Sequence, residues 1–63
     1  MAKSFTDKFG ETIIIDKYEM DIQVETHEDV VTDEITGYVV RVNDNPYEVT
    51  EEVYEAVKQY ANL

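Results

Sequence analysis

The chain has no cysteine and no tryptophan, a single proline, two glycines, one histidine and one serine. Without cysteine there is no disulfide and no thiolate metal site, and cysteine usage carries no information on redox compartment. Cysteine nucleophiles are absent, and Ser4, near the chain start, is the only serine available for a Ser–His pair. Gly10 and Gly37 stand alone, so no glycine-rich phosphate loop is present. Positive charge is scarce: five Lys or Arg residues lie scattered at positions 3, 8, 17, 41 and 58. Binding nucleic acid depends on clustered cations displacing condensed counterions, so DNA or RNA is not expected as a direct ligand. Anionic membranes are disfavoured for the same reason. No apolar run exceeds the three isoleucines at 13–15, too short for a membrane span or a signal-peptide core, and the expected location is the cytoplasm.

Carboxylates are what the chain has in excess. Fifteen Asp and Glu against five Lys and Arg give 63 residues a formal charge of −10. The hydrophobic share of 43% and aromatic share of 11% still mark a chain that folds rather than a disordered one. At this length one small α+β domain is expected, with a core supplying no more than ~3–5 kcal/mol.

Hydrophobic spacing divides the chain into elements. Ser4 with Asp7, the Phe5–Phe9 spacing and Gly10 suggest a short capped helical turn over residues 1–10, its phenylalanines lying over an edge of the core. Residues 11–49 read as antiparallel strands. Thr12–Ile15 is a β-branched run of the kind covered on both faces. After a bend or bulge at Asp16–Lys17, strict alternation places Tyr18, Met20, Ile22 and Val24 on one face and Glu19, Asp21, Gln23 and Glu25 on the other. A polar loop over 27–34 separates this strand from Ile35–Val42, and the two are expected to pair as a hairpin. Asn43-Asp44-Asn45-Pro46 is a turn, Tyr47–Val49 a short strand, and Thr50 caps a helix running to residue 61. Val53, Ala56, Val57 and Tyr60 form its buried stripe, and Glu51 and Glu52 suit its first turn. The expected architecture is a three- to four-stranded antiparallel sheet with this helix packed on one face.

The segment Val-Asn-Asp-Asn-Pro-Tyr-Glu-Val-Thr-Glu-Glu-Val-Tyr, residues 42–54, resembles the hairpin-then-helix ending of many small, uncharacterised phage and prophage proteins. That resemblance implies a viral origin, hence the cytosol of a host cell, and assigns no catalytic residue.

No catalytic residue, cofactor or metal ligand set is expected, and the chain does not read as an enzyme. His27 sits among Glu25, Glu28 and Asp29 and reads as a surface histidine in an acidic loop. Glu28, Asp29, Asp33 and Glu34 offer oxygen ligands, yet their spacing does not match the twelve-residue calcium loop and reads as a solvated loop.

The acidic surface is the feature with functional content. Alternate strand residues lie ~6.6–6.8 Å apart, so Glu19, Asp21 and Glu25 form an expected row that Glu28, Asp29, Asp33 and Glu34 extend. Duplex DNA carries one charge per ~3.4 Å on each strand, and Glu51, Glu52 and Glu55 on the helix would raise the row towards that density. Such a face fits a basic protein groove built for nucleic acid. In kind, though not in motif, the chain resembles acidic anti-CRISPR and DNA-mimic inhibitors, which implies a host nucleic-acid-handling or defence protein as partner. Small domains commonly carry net charges of about 2–8 for solubility, and −10 exceeds that. Of the five tyrosines, at least two of Tyr18, Tyr38 and Tyr60 are expected to pack in the core, and Tyr54 is the better candidate for an exposed contact. A thin sheet with one helix leaves an edge and a face uncovered, so a homodimer is expected. The alternative function is a homo-oligomeric structural or adaptor module binding a protein through apolar and tyrosine contacts.

Overall fold

The computed structural model describes residues 2–63. Five strands form two antiparallel sheets, followed by one helix: β1 (Lys3–Thr6), β2 (Thr12–Ile15), β3 (Ile22–Glu28), β4 (Ile35–Val42), β5 (Asn45–Val49) and α1 (Glu51–Ala61). β1 and β2 make a two-stranded sheet, and β3, β4 and β5 a three-stranded one in chain order. The fold is α+β with the C-terminal helix packed on the larger sheet.

Residues 2–10 do not form the expected helical turn, and Met1 of that segment lies outside the described residues. Lys3–Thr6 is extended and pairs with Thr12–Ile15, in register from Lys3↔Ile15 to Thr6↔Thr12. The features that suggested a cap build a hairpin turn instead. The Asp7 carboxylate accepts hydrogen bonds from the Phe9 and Glu11 backbone N–H groups at 2.8 Å each, and Gly10 takes a φ of 87°. Phe5 packs on the core edge against Tyr60, with ring centroids 6.1 Å apart, while Phe9 stays exposed. β2 is covered on one face only, since Ile13 and Ile15 are buried and Ile14 is half exposed. A two-stranded sheet has a single face to lay against the core, so the isoleucine run splits by the period of the strand.

A second difference concerns Tyr18–Asp21. The Asp16 side chain accepts from the Tyr18 N–H at 3.0 Å, and its carbonyl accepts from Glu19 and Met20 at 3.2 and 2.9 Å. This local turn holds residues 17–20 out of the strand, and β3 begins only at Ile22. Tyr18 is left 76% exposed, outside the core to which its alternation assigned it.

The larger sheet matches its hydrophobic pattern. β3 and β4 pair from Ile22↔Val42 to Glu28↔Ile35, with an irregularity after His27, and β4 and β5 pair from Tyr38↔Val49 to Val42↔Asn45. The two-residue turn Asn43-Asp44 has φ of 51° and 70°, the left-handed pair that suits a tight hairpin with right-handed strand twist. β5 starts two residues ahead of the expected Tyr47, and Pro46 is tolerated because β5 is an edge strand of this sheet. Thr50, in extended conformation, accepts from the Val53 N–H and starts α1, and Asn62 ends it with a φ of 58°.

One face of the sheet carries Ile22 and Val24, Tyr38, Val40 and Val42, and Tyr47 and Val49. The helix stripe lies against it. Ile13, Ile15, Val40, Val42, Val49 and Val57 form the buried cluster where both sheets and the helix meet. Tyr60 near the helix end donates to the Ile15 carbonyl at 3.2 Å, tying the helix to β2.

Removing volume from this cluster is expected to be costly. Ile15→Ala should lose ~2–5 kcal/mol, comparable to the whole stability of so small a core, and abolish the cooperative thermal transition seen by circular dichroism. Thr50→Ala, which removes only the helix cap, should cost about 1 kcal/mol and leave a cooperative transition at lower temperature.

Candidate functional site

The register of the strands decides where the carboxylates go. β5 stops at Val49, opposite Tyr38, so the β3–β4 hairpin runs on as two strands through His27↔Gly37 and Glu28↔Ile35. Its closing loop, residues 29–34, projects past the sheet as an arm on a molecule 40 Å long and 23 by 19 Å across. α1 starts directly after β5 and therefore at the same end. This brings Glu28, Asp29, Asp33 and Glu34 of the arm and Glu51, Glu52 and Glu55 of the first helical turns to one end of the fold, seven of the fifteen carboxylates.

The arm is locally built. The Asp29 carboxylate accepts from the Val31 and Thr32 N–H groups at 2.7 and 3.3 Å. Across the loop Asp29 N–H donates to the Glu34 carbonyl and Asp33 N–H to the Asp29 carbonyl, each at 2.8 Å. Asp33 takes a φ of 61°, in the left-handed region that aspartate tolerates better than most residues. Asp29 is thus committed to shaping the loop, while no hydrogen bond to the Glu28, Asp33 or Glu34 carboxylate is present among the described residues.

Glu19, Asp21 and Glu25 do not form the expected row. Glu19 lies in the Asp16 turn. Asp21 sits at the opposite end of the sheet, its N–H donating to Asn43 Oδ1 at 3.0 Å. Glu25 is on β3 but accepts from Arg41 Nε at 3.0 Å, the one ion pair among the described residues. Asp16 and Asp44 share the far end with Glu19 and Asp21, and Asp7, Glu11, Glu25 and Glu48 border the open sheet face.

Tyr54 is half-buried rather than a free contact. Its ring packs on Tyr38 with centroids 4.9 Å apart, and the Lys58 ammonium lies 5.2 Å from its centroid. The Tyr38 hydroxyl donates to Glu51 Oε2 at 3.2 Å. Desolvation beneath the helix, then the hydrogen bond and charge of Glu51 and the charge of Glu55, raise the Tyr38 phenol above its ordinary value.

The face of the sheet away from the helix carries Gln23, Glu25, His27, Val39, Arg41 and Glu48. Val39 is buried there at the floor of shallow grooves. One, of ≈ 240 Å³, is bordered by Lys8, His27, Thr36 and Glu48 at the base of the arm. Among the described residues, no group of three or more His, Cys, Asp or Glu is placed to hold a metal ion, and no helix is long and apolar enough to cross a membrane.

The sequence reading missed Val30 and Val31. They lie at the arm's tip, 94% and 86% exposed, with Ile35 half exposed behind them. Two adjacent β-branched residues inside a loop otherwise read as polar were the available signal. No family model, curated protein or solved structure matches the chain.

The Tyr38–Glu51 contact has a measurable titration. Folding favours the neutral phenol, so this contribution to stability is complete below pH 10 and is lost as pH rises through the raised folded value. In an ultraviolet titration of phenolate absorbance, Glu51→Gln should bring the latest-titrating tyrosine to lower pH. An unchanged curve would show that Glu51 does not act on Tyr38.

Proposed function

We propose that the protein is a small acidic inhibitor, phage-encoded, whose arm end occupies the basic surface with which a host nucleic-acid-handling or defence protein binds DNA or RNA. The observation that carries this reading is the convergence of Glu28, Asp33, Glu34, Glu51, Glu52 and Glu55 at one end, none of them in an ion pair among the described residues. Uncompensated charge of one sign on a narrow projection concentrates the field there and steers association with a cationic groove. The contact surface is this end, not the strand row through Glu19 and Asp21. The protein acts by binding, requires no cofactor, and works in the host cytosol.

The experiment uses nucleic-acid-binding proteins of a bacterial host preloaded on labelled duplex DNA. The intact protein is expected to release the DNA, with potency falling about tenfold or more between roughly 0.05 and 0.2 M salt. Glu28→Lys/Glu34→Lys/Glu52→Lys should abolish release, whereas Glu19→Lys/Asp21→Lys at the far end should retain it. Equal loss in both variants would reduce the effect to net charge and remove the assigned surface.

A second reading, a homodimeric adaptor, draws on β3. No backbone hydrogen bond reaches this seven-residue strand from its outer side among the described residues, so a second copy could extend the sheet there. With Tyr54 half-buried, the exposed tyrosine open to the adaptor's other contacts is Tyr18. Sedimentation equilibrium in high salt, which screens the repulsion between copies, should show a dimer that Thr26→Pro disrupts. A monomer at every concentration removes this reading.

A further inference from the structure

The valine pair at the arm's tip has no part in the fold. Val30 and Val31 are 94% and 86% exposed, and neither belongs to the core or to the residues packed against it. The turn itself is held by Asp29, Thr32 and Asp33 through hydrogen bonds in which residue 31 takes part only by its backbone N–H, so none of them needs a valine side chain at 30 or 31. Loop positions of this kind favour Gly, Asn, Asp or Ser, and β-branched residues are stiff and suited to strands. Two valines held out on a braced projection therefore expose apolar area without any gain in folding, and such area marks contact with another molecule.

The surroundings say what that molecule is like. Glu28, Asp29, Asp33 and Glu34 flank the valines on both sides in the chain, and Lys8 borders the groove beside His27 and Gly37 at the arm's base rather than its tip. A negatively charged rim excludes an anionic lipid surface and a second copy of the same tip. It complements lysine or arginine.

We propose that the tip is an anchor: Val30 and Val31 enter an apolar socket on a partner protein while the flanking carboxylates meet Lys or Arg at the socket's rim. This rests on the reading of the arm end as the surface that meets a basic partner, and adds that the contact has an apolar centre. Interfaces concentrate their affinity in such desolvated centres ringed by polar contacts. Binding carried by the tip therefore retains a salt-insensitive part that pure charge mimicry lacks.

The probes are two synthetic peptides of equal length and charge, one of lysine and serine, the other an amphipathic helix of lysine and leucine. Affinities are measured by fluorescence anisotropy with the full chain. The lysine–leucine peptide is expected to bind about tenfold or more tightly than the lysine–serine one. Val30→Ser/Val31→Ser should erase that difference while keeping the thermal transition of the parent. Phe9→Ser, at another exposed apolar residue, should leave the difference in place. Equal affinity of the parent for both peptides overturns the anchor and leaves the electrostatic reading standing, as does a preference that survives Val30→Ser/Val31→Ser or disappears in Phe9→Ser. Failure to bind either peptide at low salt overturns both proposals. Binding of zwitterionic vesicles that depends on the valines, without discrimination between the peptides, replaces the protein socket with lipid and also overturns the anchor.

Discussion

Six aliphatic side chains, Ile13 and Ile15 from β2, Val40 and Val42 from β4, Val49 from β5 and Val57 from α1, form the buried cluster in which the two sheets and the helix meet. Everything else depends on that small cluster because the chain has so little else to hold it. It has no disulfide, one ion pair is formed among the described residues, and fifteen carboxylates repel one another around a 63-residue fold. Burial of these residues must offset both that repulsion and the entropy of ordering the chain. The polar groups around the cluster assist where they can. The Tyr60 hydroxyl reaches the Ile15 carbonyl, and no buried side-chain nitrogen or oxygen lacks a hydrogen-bond partner among the described residues.

The elements with long, regular patterns were legible in the sequence, and those settled by one side chain were not. β4 and α1 lie where alternation and helical spacing place them, and Asn43-Asp44 makes its turn because those residues accept left-handed backbone. At the N-terminus the same cues fit two structures. An aspartate accepting from following N–H groups, and a glycine with positive φ, serve a helix end or a hairpin turn equally well, and pairing with β2 decided for the hairpin. Tyr18–Asp21 alternates as a strand does, but a single carboxylate, Asp16, captures the backbone N–H of Tyr18 and helps close the chain into a turn. Period alone does not reveal that competition.

The acidic end of the fold was half legible. Glu28, Asp29, Asp33, Glu34, Glu51, Glu52 and Glu55 do gather, because the end of β5 directs the helix start towards the hairpin loop. That depends on register, which charge counting cannot supply. Glu19, Asp21 and Glu25 would belong with them only if residues 18–26 formed one strand, and the Asp16 turn prevents that. Val30 and Val31 were hidden by the acids around them: a loop rich in carboxylates reads as polar even when its most exposed members are hydrocarbon.

The two-stranded arm also separates change from damage. Beyond Tyr38 its rungs have no third strand, and its loop is closed by its own hydrogen bonds rather than by the aliphatic cluster. Residues at 30, 31 and 34 can therefore be exchanged without loosening the body of the molecule. Sequence change at the tip is thereby uncoupled from the stability of the scaffold, which stays a fixed handle whatever the tip carries.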